Sequence, residues 1–237
     1  MYITFLVVLS IIFAIVPILD ALNEDEPECA DVKTVTEKMR CAGYREQISI
    51  FWMLTIPVLI MCIIGGIGFP DIGFRLLDFN HNIWVTVITL VLAIALVVYE
   101  FVVPLASKKF RERIVNNSKD EIDEFPRTKK EKWLCSLSAL SSAICEEMVY
   151  RGFLLYLLLT LFPNMPIFLN IVIAFVTFGI GHLYQGLKGV IETGLFGVLS
   201  MSLLIVTGSL IPSILLHFLC EFTSVFLLSE KGQYRTV

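Results

Sequence analysis

Long apolar blocks, rather than alternation of period 2 or 3.6, organise this chain. They fall at about residues 2–22, 48–69, 83–105, 133–161, 166–183, 189–207 and 209–229. Blocks of about 20 apolar residues are what a ~30 Å hydrocarbon core requires. The ~10-residue alternating segments of a transmembrane barrel are absent. The pattern therefore predicts an all-α polytopic membrane helical bundle with about seven transmembrane helices. PNMP (163–166) and TGS (207–209) leave so little chain between neighbouring blocks that those pairs are expected to be antiparallel hairpins. Pro17, Pro57 and Pro104, inside or at the ends of blocks, read as kinks or helix ends.

Composition supports this picture. Of 237 residues, 57% are hydrophobic and only 17% charged, where soluble domains have about a quarter charged. The net charge of −4 and the lack of a basic stripe speak against a nucleic-acid partner. Of the six cysteines, four lie in or beside apolar blocks, where Cys behaves as a small hydrophobe. Cys29 and Cys41 share a polar loop and are expected to be free thiols on the reducing side of the membrane.

Orientation follows from Lys and Arg. Loop 23–47 carries four of them, loop 106–132 nine, and Lys188, Lys231 and Arg235 follow later spans. With the N-terminus outside and the C-terminus cytoplasmic, all sixteen are cytoplasmic and Arg75 alone falls in an outer loop. The first block lacks a basic leader region and is kept as a span. The chain thus divides into a three-helix membrane segment (1–105), a charged cytoplasmic loop (106–132), a helical core (133–229) and a cytoplasmic tail (230–237). Glu100 is expected to snorkel to the basic surface, Lys188 and Glu192 to lie at the interface, and His81 to sit on an outer loop.

Three polar groups interrupt the core. A charge at a helix centre costs about 2.5–3.5 kcal/mol on insertion scales, so such residues face a cavity or a partner. The first group is "EEMVYR" (146–151): at about 100° per residue Glu147 and Arg151 share a face, while Glu146 points elsewhere. The second is "FGIGH" (178–182), ending in His182 near a helix end, at the mouth of a cytoplasm-facing cavity. The third is "HFLCE" (217–221), with His217 and Glu221 again four apart. Each could be a structural contact by itself: an ion pair gluing helices, or a packed histidine. Together they suit water attack on a carbonyl, with a carboxylate as general base, a histidine sharing the water and a second histidine donating to the oxyanion.

EExxxR, FxxxH and HxxxN/D on successive helices resemble the CPBP (Abi) family of intramembrane proteases. That family includes the CAAX prenyl endopeptidase and bacterial proteins linked to bacteriocin immunity and peptide processing. The resemblance covers about residues 130–229. It implies a glutamate-dependent intramembrane endopeptidase acting on a membrane-associated peptide or protein, with Glu146 and His182 activating water. Glu147 and Arg151 would organise the site, and His217 and Glu221 would form the oxyanion hole. Glu221 departs from the usual Asn or Asp, and an ionised Glu cannot donate to an oxyanion. No cofactor is favoured. A divalent metal such as zinc remains an alternative because Glu146, His182, His217 and Glu221 are suitable ligand types, although the HExxH signature is missing. Serine-type GxSG and aspartyl-type GxGD motifs are also missing. Small size and short loops point to a bacterial cytoplasmic membrane, with the lipid bilayer as the other partner; nothing in the sequence sets an oligomeric state. A non-catalytic membrane partner or immunity protein, and a small proton-coupled transporter, stand as alternatives.

Overall fold

The computed structural model describes residues 35–79, 82–107, 109 and 125–229. The expected first span, Cys29, His81, most of the charged loop and the tail 230–237 lie outside the described residues. Every regular element among the described residues is helical. In chain order they are α1 (Glu37–Gly65), α2 (Ile83–Val97), α3 (Lys129–Glu147), α4 (Leu154–Leu161), α5 (Ile167–Gly181), α6 (Gly186–Thr207) and α7 (Ile211–Ser229). Helix α2 continues through a π turn, Val98–Val102, into Val103–Ala106; α3 and α4 are one rod joined by a second π turn, Met148–Phe153. Three stretches are long and apolar enough to cross a membrane by length and composition: Glu37–Gly65, Ile83–Glu100 and Leu183–Thr207.

Polarity is distributed opposite to that of a water-soluble bundle. Ile63, Trp84, Leu187 and Leu195 are exposed, whereas Glu131, Glu147, Arg151, Asn170, Ser200 and Ser213 are wholly buried. Lipid tails accept the apolar exterior, and helix packing in such a solvent relies on small residues and interhelical polar contacts. Helices α5 and α6 pack in this way. A Cβ on Gly197 would stand 2.9 Å from the Ala174 carbonyl, and one on Gly194 2.8 Å from the Phe175 ring.

Helix α1 begins eleven residues before the expected span, so Arg40 and Arg45 are helical rather than part of a loop. Thr36 caps it by accepting from the Met39 N–H. The polar first turns are held against α3: Arg40 donates from Nε to Glu131 Oε1 at 2.8 Å, and from Nη1 to the Val35 carbonyl at 2.7 Å. Glu131 also closes a capping box with Thr128 and accepts the N–H groups of Arg127 and Thr128 at 2.7 and 2.6 Å. Burial raises the Glu131 carboxyl, but those two N–H groups and the Arg40 guanidinium outweigh it and hold it below the usual carboxylate range.

At the other end, segment 66–79 folds into the bundle. Asp78 N–H donates to the Thr207 carbonyl at 2.7 Å, Leu210 N–H to Gly73 at 2.8 Å, and Arg75 Nε to Gly208 at 2.6 Å. Arg75 thus clamps the α6–α7 turn. Ile72 is buried against the π turn, where only glycine fits: a Cβ on Gly152 would lie 2.3 Å from the Ile72 carbonyl oxygen.

Candidate active site

Glu146 and Glu147 end α3, and the π turn begins at the next residue. An i→i+5 turn departs from the uniform 100° spacing expected from sequence, and such turns recur at functional sites. Even so, Arg151 Nη1 lies 3.2 Å from Glu147 Oε1, with both side chains fully buried. The guanidinium also stacks on Phe178, 3.8 Å from the ring centroid. That cation–π contact shields the charge from a surrounding with no bulk water.

Glu147 is saturated with partners. Its Oε1 also lies 2.9 Å from His217 Nδ1, and its Oε2 accepts a hydrogen bond from the Ser200 hydroxyl of α6. Ser213 of α7 in turn donates to the Ser200 carbonyl at 2.9 Å, locking α6 to α7 beside the site. Because Glu147 accepts from Nδ1, the His217 ring turns Nε2 outward. That atom is 3.2 Å from Glu221 Oε1 and 3.8 Å from Glu146 Oε2. Glu221 Oε1 also accepts from Ser142 of α3 at 2.8 Å.

Glu146 contrasts with its neighbour. Its Oε2 is buried and has no hydrogen-bond partner among the described residues. A buried carboxylate oxygen left in that state needs a donor, and a water is the smallest group that provides one.

His182 caps α5, followed by a 3-10 turn, Leu183–Gln185, and then Gly186 with φ +73°, which starts α6. With 15 residues, α5 is about 22 Å long, shorter than a ~30 Å hydrocarbon core. Nδ1 donates to the Phe178 carbonyl at 2.8 Å, so the neutral ring presents Nε2 as an acceptor. The His182 ring lies 4.6 Å from the Phe178 centroid and the His217 ring 6.1 Å from it on an edge-to-face path.

The structure therefore gathers Glu146, Glu147 and Glu221 about the His217 imidazole, with Arg151 on Glu147, while His182 packs on Phe178, the ring that His217 also meets. Sequence reading missed Ser142, Ser200 and the Phe196 ring, which packs 5.0 Å from His217. Ser142 had one signal available: it precedes Glu146 by four residues, on the same helix face. Ser200 had none. Glu100 is half-buried in the α2 π turn, and Lys188 and Glu192 form an exposed pair at 3.6 Å. Cys41, Cys62, Cys135, Cys145 and Cys220 are free thiols. Among the described residues, no three His, Cys, Asp or Glu side chains are arranged to hold a metal ion.

Residues 129–223 match the family model described as Type II CAAX prenyl endopeptidase Rce1-like. The match begins where α3 begins and spans all three motifs. No curated protein and no solved structure matches the chain. The match covers less than half of the 237-residue chain, and it is the motif-bearing part that is similar to this family.

Proposed function

We propose that the chain is an intramembrane endopeptidase that hydrolyses a peptide bond of a membrane-associated peptide or protein with a glutamate-activated water. The observation that carries this reading is the contrast between the two adjacent glutamates. Glu147 has every oxygen engaged, whereas Glu146 Oε2 is buried, unpartnered and 3.8 Å from His217 Nε2.

A water between Glu146 and the free Nε2 of His182 is the nucleophile. Glu146 takes its proton as the oxygen attacks the carbonyl carbon, and later returns that proton to the leaving amine. His217 lies between ionised carboxylates that only accept, so both of its nitrogens carry hydrogens; oriented through Nδ1 by Glu147, this imidazolium donates from Nε2 to the oxyanion. Arg151 keeps Glu147 ionised and fixes the helix around Glu146. Every donor and acceptor in this scheme belongs to the chain or to the water, so no step is routed through a metal.

The seven-span arrangement, with the N-terminus outside and the C-terminus cytoplasmic, belongs to the same proposal. It rests on the Lys and Arg distribution and places the 182–185 turn at a cytoplasm-facing mouth in a bacterial cytoplasmic membrane. Glu146→Gln tests the whole reading. Full-length protein in nanodiscs is given fluorogenic peptides ending in an isoprenylated CAAX sequence and their unprenylated counterparts. Turnover by the parent chain and its loss in the variant, with unchanged thermal unfolding, is the expected result. Cleavage that survives the substitution refutes the mechanism.

A further inference from the structure

Two hydrogen-bond donors from different helices converge on one atom. The Ser142 hydroxyl of α3 lies 2.8 Å from Glu221 Oε1, and His217 Nε2 of α7 lies 3.2 Å from the same oxygen. Preorganised donors aimed at a single negatively charged oxygen are what an oxyanion hole consists of. Here the oxygen they meet belongs to the protein's own carboxylate. We infer that Ser142 is the second oxyanion donor of this site, and that Glu221 Oε1 fills the oxyanion position until substrate displaces it.

The inference rests on the hydrolytic reading above and resolves its weak point. An ionised Glu221 accepts hydrogen bonds and offers none, so it cannot stabilise an oxyanion. Ser142 can, and it stands four residues before Glu146 on α3, hence on the face that carries the base. The two donors differ from Glu221 in mobility. Ser142 and His217 are buried on packed helices, whereas the Glu221 side chain is 36% exposed. The carboxylate can therefore swing out of the site while the donors stay in place.

Chemically, the entering carbonyl oxygen takes the place of Glu221 Oε1. Water adds to the carbonyl carbon as its proton passes to Glu146, and the C=O electron pair moves onto the oxygen held by Ser142 Oγ–H and His217 Nε2–H. Collapse reforms the C=O and breaks the C–N bond, and Glu146 returns the proton to the amine. Substrate entry must then evict a resident anion, which lowers the fraction of protein competent to bind.

Two measurements on full-length protein in nanodiscs decide the point. The first is kinetics on the fluorogenic isoprenylated peptide. Ser142→Ala is expected to lower kcat by about 10²-fold with KM little changed, and Ser142→Thr, which keeps the hydroxyl, to retain most of it. Glu221→Ala should raise kcat/KM several-fold. In the Ser142→Ala background, adding Glu221→Asn should recover part of the loss, because an amide N–H replaces the missing donor. Equal losses from Ser142→Ala and Glu221→Ala, or no loss from Ser142→Ala while Glu146→Gln is inactive, would overturn this inference and leave the hydrolytic reading intact. Turnover surviving in Glu146→Gln overturns the hydrolytic reading instead.

The second measurement needs no turnover. An isoprenylated peptide phosphonate, whose P–O⁻ mimics the oxyanion, should bind Ser142→Ala about 10²-fold more weakly and Glu221→Ala more tightly than the parent chain. Equal affinity across the three proteins rejects the assignment even if no peptide is cleaved.

Discussion

Glu147 Oε1 lies 2.9 Å from His217 Nδ1, and that contact decides which edge of the imidazole is left for chemistry. With Nδ1 committed, Nε2 alone faces Glu146 and Glu221. The second glutamate of the motif therefore works by setting the geometry in which the first one acts.

Glu147→Gln should consequently damage turnover without emptying the site. The amide keeps the shape but presents an N–H as readily as an oxygen to Nδ1, so the ring loses its fixed orientation. A fall in kcat on the order of 10²-fold is expected, since misplacements of about 1 Å cost that much. Steady-state kinetics of the variant beside Glu146→Gln would measure it, and a parent-like kcat would show that His217 is oriented by other means.

Arg151→Ala leaves Glu147 without its cation. Removing one partner of a buried ion pair costs about 3–5 kcal/mol. The variant should lose thermal stability in detergent by that order, and Arg151→Lys should recover little, because an ammonium cannot reproduce the flat stacking on Phe178. Ser200→Ala, which deprives Glu147 of a single hydrogen bond, should cost about 1–3 kcal/mol.

Gly152→Ala probes the close approach of segment 66–79 to the π turn. Its Cβ would meet the Ile72 carbonyl oxygen at 2.3 Å, and neither is the end of a flexible side chain. The backbone must move, so destabilisation of about 1–3 kcal/mol or more is expected by thermal unfolding. A neutral result would mean that the loop does not seat against this turn.

The Arg40–Glu131 pair gives a pH signature. A carboxyl whose folded pKa is depressed stabilises the fold above its unfolded value of about 4.3, and that contribution is lost as pH falls through the folded value. The Tm difference between the parent chain and Glu131→Gln should be largest near neutral pH and shrink on acidification below about pH 4.3. A difference that does not change with pH would argue against an ionised Glu131.

Chelation separates the water mechanism from a metallic one. In the glutamate-water scheme no step uses a metal, so dialysis against a strong zinc chelator should leave peptide cleavage unchanged. Loss of activity that zinc restores would overturn that scheme.

Much of this protein was legible in its sequence. Hydropathy blocks predicted the helices of the described residues, and the charges at 146, 147 and 151 with the histidine at 217 marked side chains that the fold brings into contact, because a buried charge in an apolar run has no inexpensive explanation. These signals are local: each is visible within one helix. Folding decided the remainder. Ser142 meets Glu221 from 79 residues away and Ser200 meets Glu147 from 53, and a serine in a helix carries no mark of what it will touch. The π turn was equally hidden, since it lies in the backbone hydrogen bonding and leaves no mark on the spacing of apolar residues. Nor could the early start of α1 be read from hydropathy, because Arg40 and Glu131 neutralise each other only once α1 and α3 are side by side. The sequence by itself determined which groups are costly to bury in an apolar helix; tertiary structure alone decided which partners make that burial possible, because hydrogen bonds and ion pairs depend on distances between helices that no single helix encodes.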